Sequence, residues 1–326
     1  MFPKDSGDLI AAQFAAATEI GVRMVASRGS MSLSKKDGGL PPDSVVQTVD
    51  AILTDSMRLV QVYHDPKPCA MRQVALAPCS PFSVSEALMV ETAKLARSLG
   101  VRLHTHLAET RDEQAFVLAK TGLRPLAYME KLGWTGPDVW YAHGIHFTED
   151  ELQTLAATGT GVAHCPASNM KLASGVCRVP EMLAFGVPLG LAVDGSASND
   201  GSSLLSEMRA AYLLHRLTWA EKAPSGYDIL KLATRGSARL LGRTDIGHLA
   251  VGMACDLFAV REDRLELAGA TGDVSAMLAT VGLGGPVDLT VVNGRVVVEG
   301  GRLKAIDEEA LARSVSAEAA RMQALA

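Results

Sequence analysis

VRLHTHLAE, residues 101–109, is a short apolar run that ends in reactive side chains. Read as a strand with a side-chain period of two, it puts His104 and His106 on one face and Leu103 and Thr105 on the other. Glu109 follows three residues after His106, in the loop beyond the strand. A histidine at a strand end with a carboxylate close by suits a metal ligand and a proton shuttle, and imidazole suits zinc or ferrous iron. The competing reading is two core histidines on a buried strand.

The same form repeats outward from this stretch. Strands are predicted at 22–26, 73–77, 101–106, 139–143, 161–164 and 188–194. Helices are predicted between them at 44–62, 83–99, 110–121, 148–157 and 179–185. Ser83 with Glu86, and Thr148 with Glu151, have the spacing of a capping box. Gly100, Gly122, Gly159 and Gly186 stand where helices should stop. Such alternation implies a parallel sheet covered by helices. Reactive groups fall at many strand ends: Ser27 and Arg28, Cys79 and Ser80, His106, His143, His164 and Asp194. That placement favours an α/β fold of the (β/α)8 TIM-like barrel kind. A doubly wound sheet would gather them at one switch point, usually with a glycine-rich phosphate loop, and the chain has no GxGxxG or GxxxxGK[ST].

An amphipathic helix is expected over 5–19, and long helices over 201–222 and 227–241. From 252 onward short β-strands are expected, with a hairpin turn at Asn293-Gly294, then a closing helix over 307–324. The expected division is a barrel unit over 1–245, a small β unit over 246–303 and a terminal helix over 304–326.

Four further stretches carry chemistry. His143 ends the strand WYAH and precedes a glycine, so it should face the same rim, where it could orient a water or polarise a substrate. Asp194 closes the apolar run PLGLAVD, and a carboxylate there is costly unless paired or metal-bound. It is read as a metal ligand and general base, with Ser196, Ser198, Asn199 and Asp200 in the same rim and Ser196 as a substrate contact. His164 and Asn169, in HCPASN, are read as substrate contacts, and Cys165 as a packed thiol. Arg28 could dock a planar, oxygen-rich heterocycle through two parallel hydrogen bonds; the alternative is a surface arginine.

The chain has 326 residues, 31 basic against 36 acidic side chains, 48% hydrophobic and 21% charged residues. This composition excludes a disordered chain, and the net charge of −5 gives no basic nucleic-acid footprint. No apolar run is long enough for a membrane span. Five irregularly spaced cysteines argue against a disulfide framework and for a reducing cytoplasm. The expected partner is a small molecule, without nucleic acid or membrane, with a homo-oligomer possible.

HTHLAE, AHG, HCPASN and DGSASND, in this order on successive strands, resemble the metal-dependent amidohydrolase superfamily in its deaminase and s-triazine hydrolase branch. RGSMSLSKKDGGLPPDSVVQ and LAPCSPFSVS extend the likeness towards 8-oxoguanine deaminases. The resemblance implies a distorted (β/α)8 barrel with a β-sandwich built from both chain ends. It implies one divalent metal, zinc or iron, with His106 and Asp194 as the fifth- and eighth-strand ligands. Glu109 would be the proton shuttle and His143 the group that contacts the attacking water. It implies hydrolytic deamination of an N-heterocycle, 8-oxoguanine to urate and ammonia, by metal-bound hydroxide. An s-triazine hydrolase is the alternative, and a non-catalytic remnant that binds a ligand or partner is the alternative of another class. The family's first-strand HxH has no counterpart, since the one HxH here is His104-Thr105-His106. Counted back from Asp194, the six strands would be the third to eighth of a barrel. The chain is therefore expected to be N-terminally truncated, with a partial sandwich and doubtful activity alone.

Overall fold

A computed structural model describes residues 8–324. In chain order the first part comprises α1 (Leu9–Ile20), β1 (Met24–Ser30), α2 (Val49–Tyr63), β2 (Arg72–Pro78), α3 (Glu86–Leu99), β3 (Leu103–Leu107), α4 (Arg111–Thr121) and α5 (Pro125–Lys131). There follow β4 (Val139–His143), α6 (Glu149–Thr158), β5 (Gly161–His164), α7 (Pro166–Lys171), α8 (Val179–Phe185), β6 (Leu189–Leu191) and α9 (Ser196–Asn199). The remainder comprises α10 (Leu204–Trp219), α11 (Gly226–Lys231), α12 (Ser237–Leu240), β7 (Leu257–Ala259), α13 (Val274–Thr280), β8 (Leu289–Val292), β9 (Arg295–Glu299), β10 (Arg302–Leu303) and α14 (Glu308–Gln323). Residues 5–7 of the expected first helix lie outside the described residues, as do 1–7 and 325–326 of the expected units.

Strands β1 to β6 form one parallel sheet in strict chain order, with no reversal of direction around the sheet. Its main core joins Ala26, Val74, Leu76, Leu103, Leu107, Val139, Tyr141, Val162 and Leu189 on the strands to Ile52, Leu59, Leu88, Met89, Val117, Leu152 and Met182 on the helices. The alternate strand residues Ala75, Trp140 and Ala163 point to the other face, where Leu240 packs on them. The helices of the main core thus cover one face of the sheet, and the second face, on which Leu240 of α12 packs, carries the site. Strands β7 to β10 form a separate antiparallel sheet, order β10-β9-β8-β7. Asn293 and Gly294, at φ +50° and +77°, make its β8–β9 turn with both residues left-handed, the twist a two-residue hairpin needs. Among the described residues no helix is long and apolar enough to cross a membrane.

Several boundaries differ from the sequence expectation. β1 runs on to Ser30, so Arg28 lies within the strand instead of after it. β6 stops at Leu191 and leaves Asp194 in the loop beyond. The cap of α3 is Ser85, whose hydroxyl accepts from Leu88 N, while Ser83 bonds back to Ser80. Thr148 and Glu151 do form the reciprocal capping box. The expected helix over 227–241 is three pieces, with a π-helical turn at Leu232–Gly236 between α11 and α12. There the backbone of Gly236 meets β6 so closely that a Cβ would stand 2.1 Å from the Leu189 carbonyl oxygen. Helices α5, α7 and α13 were not expected; each is only six or seven residues long, too short for a periodic signal.

Candidate metal centre and active site

Alternation on β3 buries Leu103, Thr105 and Leu107 under the helices and leaves His104 and His106 on the opposite face. The two histidines have different surroundings. His104 stacks on Trp140, ring centroids 4.8 Å apart, and its Nδ1 meets the Trp140 carbonyl at 3.3 Å. Burial lowers its pKa to about 3, so it is a neutral packing residue. His106 stands nearer the rim, and its Nδ1–H donates to the Cys79 carbonyl at 2.6 Å. That bond fixes the ring and leaves Nε2 for the site. Burial opposes its charge, but the neighbouring Cys79 thiol and Glu109 outweigh burial and raise its pKa to about 9, so an ion bound at Nε2 would displace a proton.

His143 ends β4 in a strained backbone, φ +71°. Strict alternation would send it to the helix side with Val139 and Tyr141. The left-handed conformation re-aims it, and its ring stacks on His106 at 5.5 Å between centroids. Its Nδ1–H donates to Asn169 Oδ1 at 2.9 Å. Its Nε2 then lies 3.7 Å from Glu109 and 3.9 Å from Asp194. Burial lowers its pKa against the pull of Glu109, so the imidazole is neutral at neutral pH.

Asp194 is also left-handed, φ +64°. Its Oδ2 accepts from Ser168 Oγ at 2.6 Å and Ser198 Oγ at 3.1 Å, and its Oδ1 from Gly195 N at 2.7 Å. Burial opposes ionisation, yet these donors and His143 hold the carboxyl below the usual range. His106, His143 and Asp194 each offer one ligand atom, all within 4.8 Å of one another. The His106 imidazole and the Asp194 carboxylate, each oriented from behind, are donors that fit zinc or ferrous iron, and His143 Nε2 stands close enough to face the same ion or its water.

The structure brings Glu109, His106, His143, Asp194 and Asn169 together, and leaves three other expected residues outside. Arg28 shares the helix-facing side of β1 with Ala26. Its Nε pairs with Asp55 of α2 at 2.7 Å and its Nη2 with Gln47 at 3.0 Å, so it is a buried structural cation rather than a rim cation. His164 shares the helix-facing side of β5 with Val162 and meets His215 of α10, Nε2 to Nε2 at 3.1 Å, fully buried. Ser196 is exposed at the start of α9, and Ser198 touches Asp194 in its place. Cys165 is packed and buried, and burial pushes its thiol up.

Sequence reasoning placed Ser198 in the rim beside Asp194 but missed Ser168, Glu207 and the Cys79 carbonyl. Glu207, 1% exposed on α10, accepts from Ala167 N at 3.0 Å and Asn199 Nδ2 at 2.8 Å. Asn199 Nδ2 also donates to Val193 O, so this one carboxylate ties α7, which carries Ser168, to the loop that carries Asp194. The available signal is an acid on the buried face of the helix over 204–219, beside Met208 and Ala211.

Comparison with known proteins agrees with this geometry. The model of the amidohydrolase family matches residues 3–297. The 8-oxoguanine deaminase of Pseudomonas aeruginosa strain PAO1 is 47% identical over 95% of this chain and 69% of its own length. The hydroxydechloroatrazine ethylaminohydrolase of Pseudomonas sp. strain ADP is also 47% identical, over 94% of this chain and 64% of its own. The zinc complex of atrazine chlorohydrolase TrzN from Arthrobacter aurescens TC1 superposes with a TM-score of 0.93 at 36% identity, covering 97% of this chain and 70% of that one. The chain thus spans about two-thirds of the length of these relatives.

Proposed function

The chain belongs to the amidohydrolase family, and from that premise we propose that it hydrolytically deaminates an amino-substituted N-heterocycle, 8-oxoguanine first, to urate and ammonia. The observation that carries the reading is the convergence of Glu109, His143, Asp194 and His106 from three strand ends within a few ångströms. The singly wound sheet in chain order supports placing its six strands as an arc of a (β/α)8 barrel, with the site at the C-terminal rim.

His106 and Asp194 would hold one divalent ion, zinc by the analogy with TrzN, with iron compatible with the same donors. When bound, such an ion supplies Lewis acidity that makes water ionisable near neutral pH. The chain's own groups handle the protons. Asp194, held ionised by three donors, accepts a proton from the attacking water. His143, its Nδ1–H tied to Asn169, turns a lone pair at Nε2 towards that water. Glu109 protonates a ring nitrogen as the new C–O bond forms, then carries a proton to the departing amine as the C–N bond breaks. Water plus 8-oxoguanine then gives urate plus ammonia, with no other reactant.

The equal identity to the ethylaminohydrolase favours a second reading, release of an alkylamine from a hydroxylated s-triazine. An assay with 8-oxoguanine, guanine, cytosine and hydroxyatrazine separates them. Ammonia and urate from 8-oxoguanine are expected. Turnover of the triazine without 8-oxoguanine would move the assignment to the second reading. Ligand binding without any turnover would make the chain a non-catalytic binder.

A further inference from the structure

Glu113 stands behind the site, 1% exposed, in the first turn of α4. The spacing Thr110-Arg-Asp-Glu113 is that of an ordinary capping box, in which the glutamate would bond back to the Thr110 amide. Thr110 does its half, accepting from Glu113 N at 3.1 Å. The Glu113 side chain instead reaches beyond the cap. Its Oε1 accepts from Ala108 N at 2.8 Å and its Oε2 from Glu109 N at 3.0 Å.

These two amides point the same way because Ala108 is left-handed, φ +53°, a conformation that costs an alanine energy and that the surroundings must enforce. The Ala108 carbonyl then accepts from Ile145 N at 2.8 Å and His146 N at 2.9 Å, and the Leu107 carbonyl accepts from Gly144 N at 3.2 Å. The turn that carries Glu109 is thereby bonded to the turn that follows His143. One buried carboxylate anchors the peptide from which both proton-handling residues are aimed.

We propose that Glu113 is a positioning residue for the deamination: by accepting the Ala108 and Glu109 amides it holds Ala108 left-handed and sets the Glu109 carboxyl 3.7 Å from His143 Nε2. This rests on the functional reading above. Glu113 touches neither substrate nor ion in this scheme and acts only through Glu109 and the 143–146 turn. Burial pushes its own pKa up to about 7 against its two amide donors, which favour the charged carboxylate.

Glu113→Gln keeps the shape but presents one acceptor and one NH2 to two N–H donors, so one bond is lost. The expected result is a kcat lower by up to about 100-fold, with KM within about threefold of wild type and bound metal unchanged. Backbone amide exchange should speed up in the peptide over 107–110 and stay as in wild type elsewhere. Adding Ala108→Gly should restore about tenfold of the lost kcat, since glycine adopts the left-handed turn without help. Wild-type kcat in Glu113→Gln, or unchanged exchange over 107–110, would overturn the proposal. So would faster exchange throughout the chain with no restoration by glycine, which is the behaviour of a purely structural residue. If the wild-type chain turns over no heterocycle, the functional reading falls, and the exchange measurement still decides whether Glu113 holds the turn.

Discussion

His143 shows how much one backbone angle does at the residue scale. Its identity and its place before Gly144 were legible in the sequence, and so was the rim it should face. The φ of +71° that turns it from the helix side to the site was not, because a left-handed residue is uncommon even for the favoured histidine and nothing in the sequence marks which one adopts it. The same holds for Asp194. Two substitutions test the assigned roles. Glu109→Gln removes the shuttle's charge at constant shape and should lower kcat by about 100-fold or more, with metal content unchanged by elemental analysis. Asn169→Ala frees His143 Nδ1 and should cost about 10- to 100-fold in activity, read as kcat rather than KM. Wild-type kcat in the latter would mean that His143 needs no orienting partner.

Elements explain why Arg28 and His164 were misplaced. Both sit on strands whose ends approach the site, where nearness to a strand end suggests the rim. Parity decides otherwise: Arg28 shares a side with Ala26 and His164 with Val162, and both those residues lie in the helix-facing core. The alternation was readable, but 22–26 ended the first strand too early to count through Arg28. His164→Ala is therefore expected to act on stability, leaving His215 unpaired at a cost of about 1–3 kcal/mol. Thermal unfolding should show the loss, and KM for the heterocycle should not change. A raised KM with unaltered stability would return His164 to the substrate site.

Across the whole molecule, the order of the parallel strands and the existence of further β-strands after residue 252 were legible from alternation and turn chemistry. What joins the two sheets was not, because it depends on residues more than 200 positions apart. Arg23, entering β1, forms a two-pronged pair with Asp256, entering β7, both bonds at 2.9 Å, and also donates to the carbonyls of Cys69 and Ala70. Burial opposes the Asp256 charge, but Arg23 and the Asn293 amide outweigh it and hold the carboxyl below the usual range. The stabilisation is then present above the unfolded value, about pH 4, and is lost as pH falls through the depressed folded value. Asp256→Asn should lower the unfolding temperature at pH 7, by a loss of about 3 kcal/mol, and the gap to wild type should close in acid. A gap that does not vary with pH would contradict this assignment.

The central claim is that the ends of β3 and β4 and the loop after β6 assemble a metal-dependent deaminating centre. Titration of the purified chain with zinc, followed by calorimetry, tests it most directly. One ion per chain is expected in the wild type, with binding abolished in His106→Ala and in Asp194→Ala. Zinc binding that survives both substitutions, or none in the wild type, would contradict it.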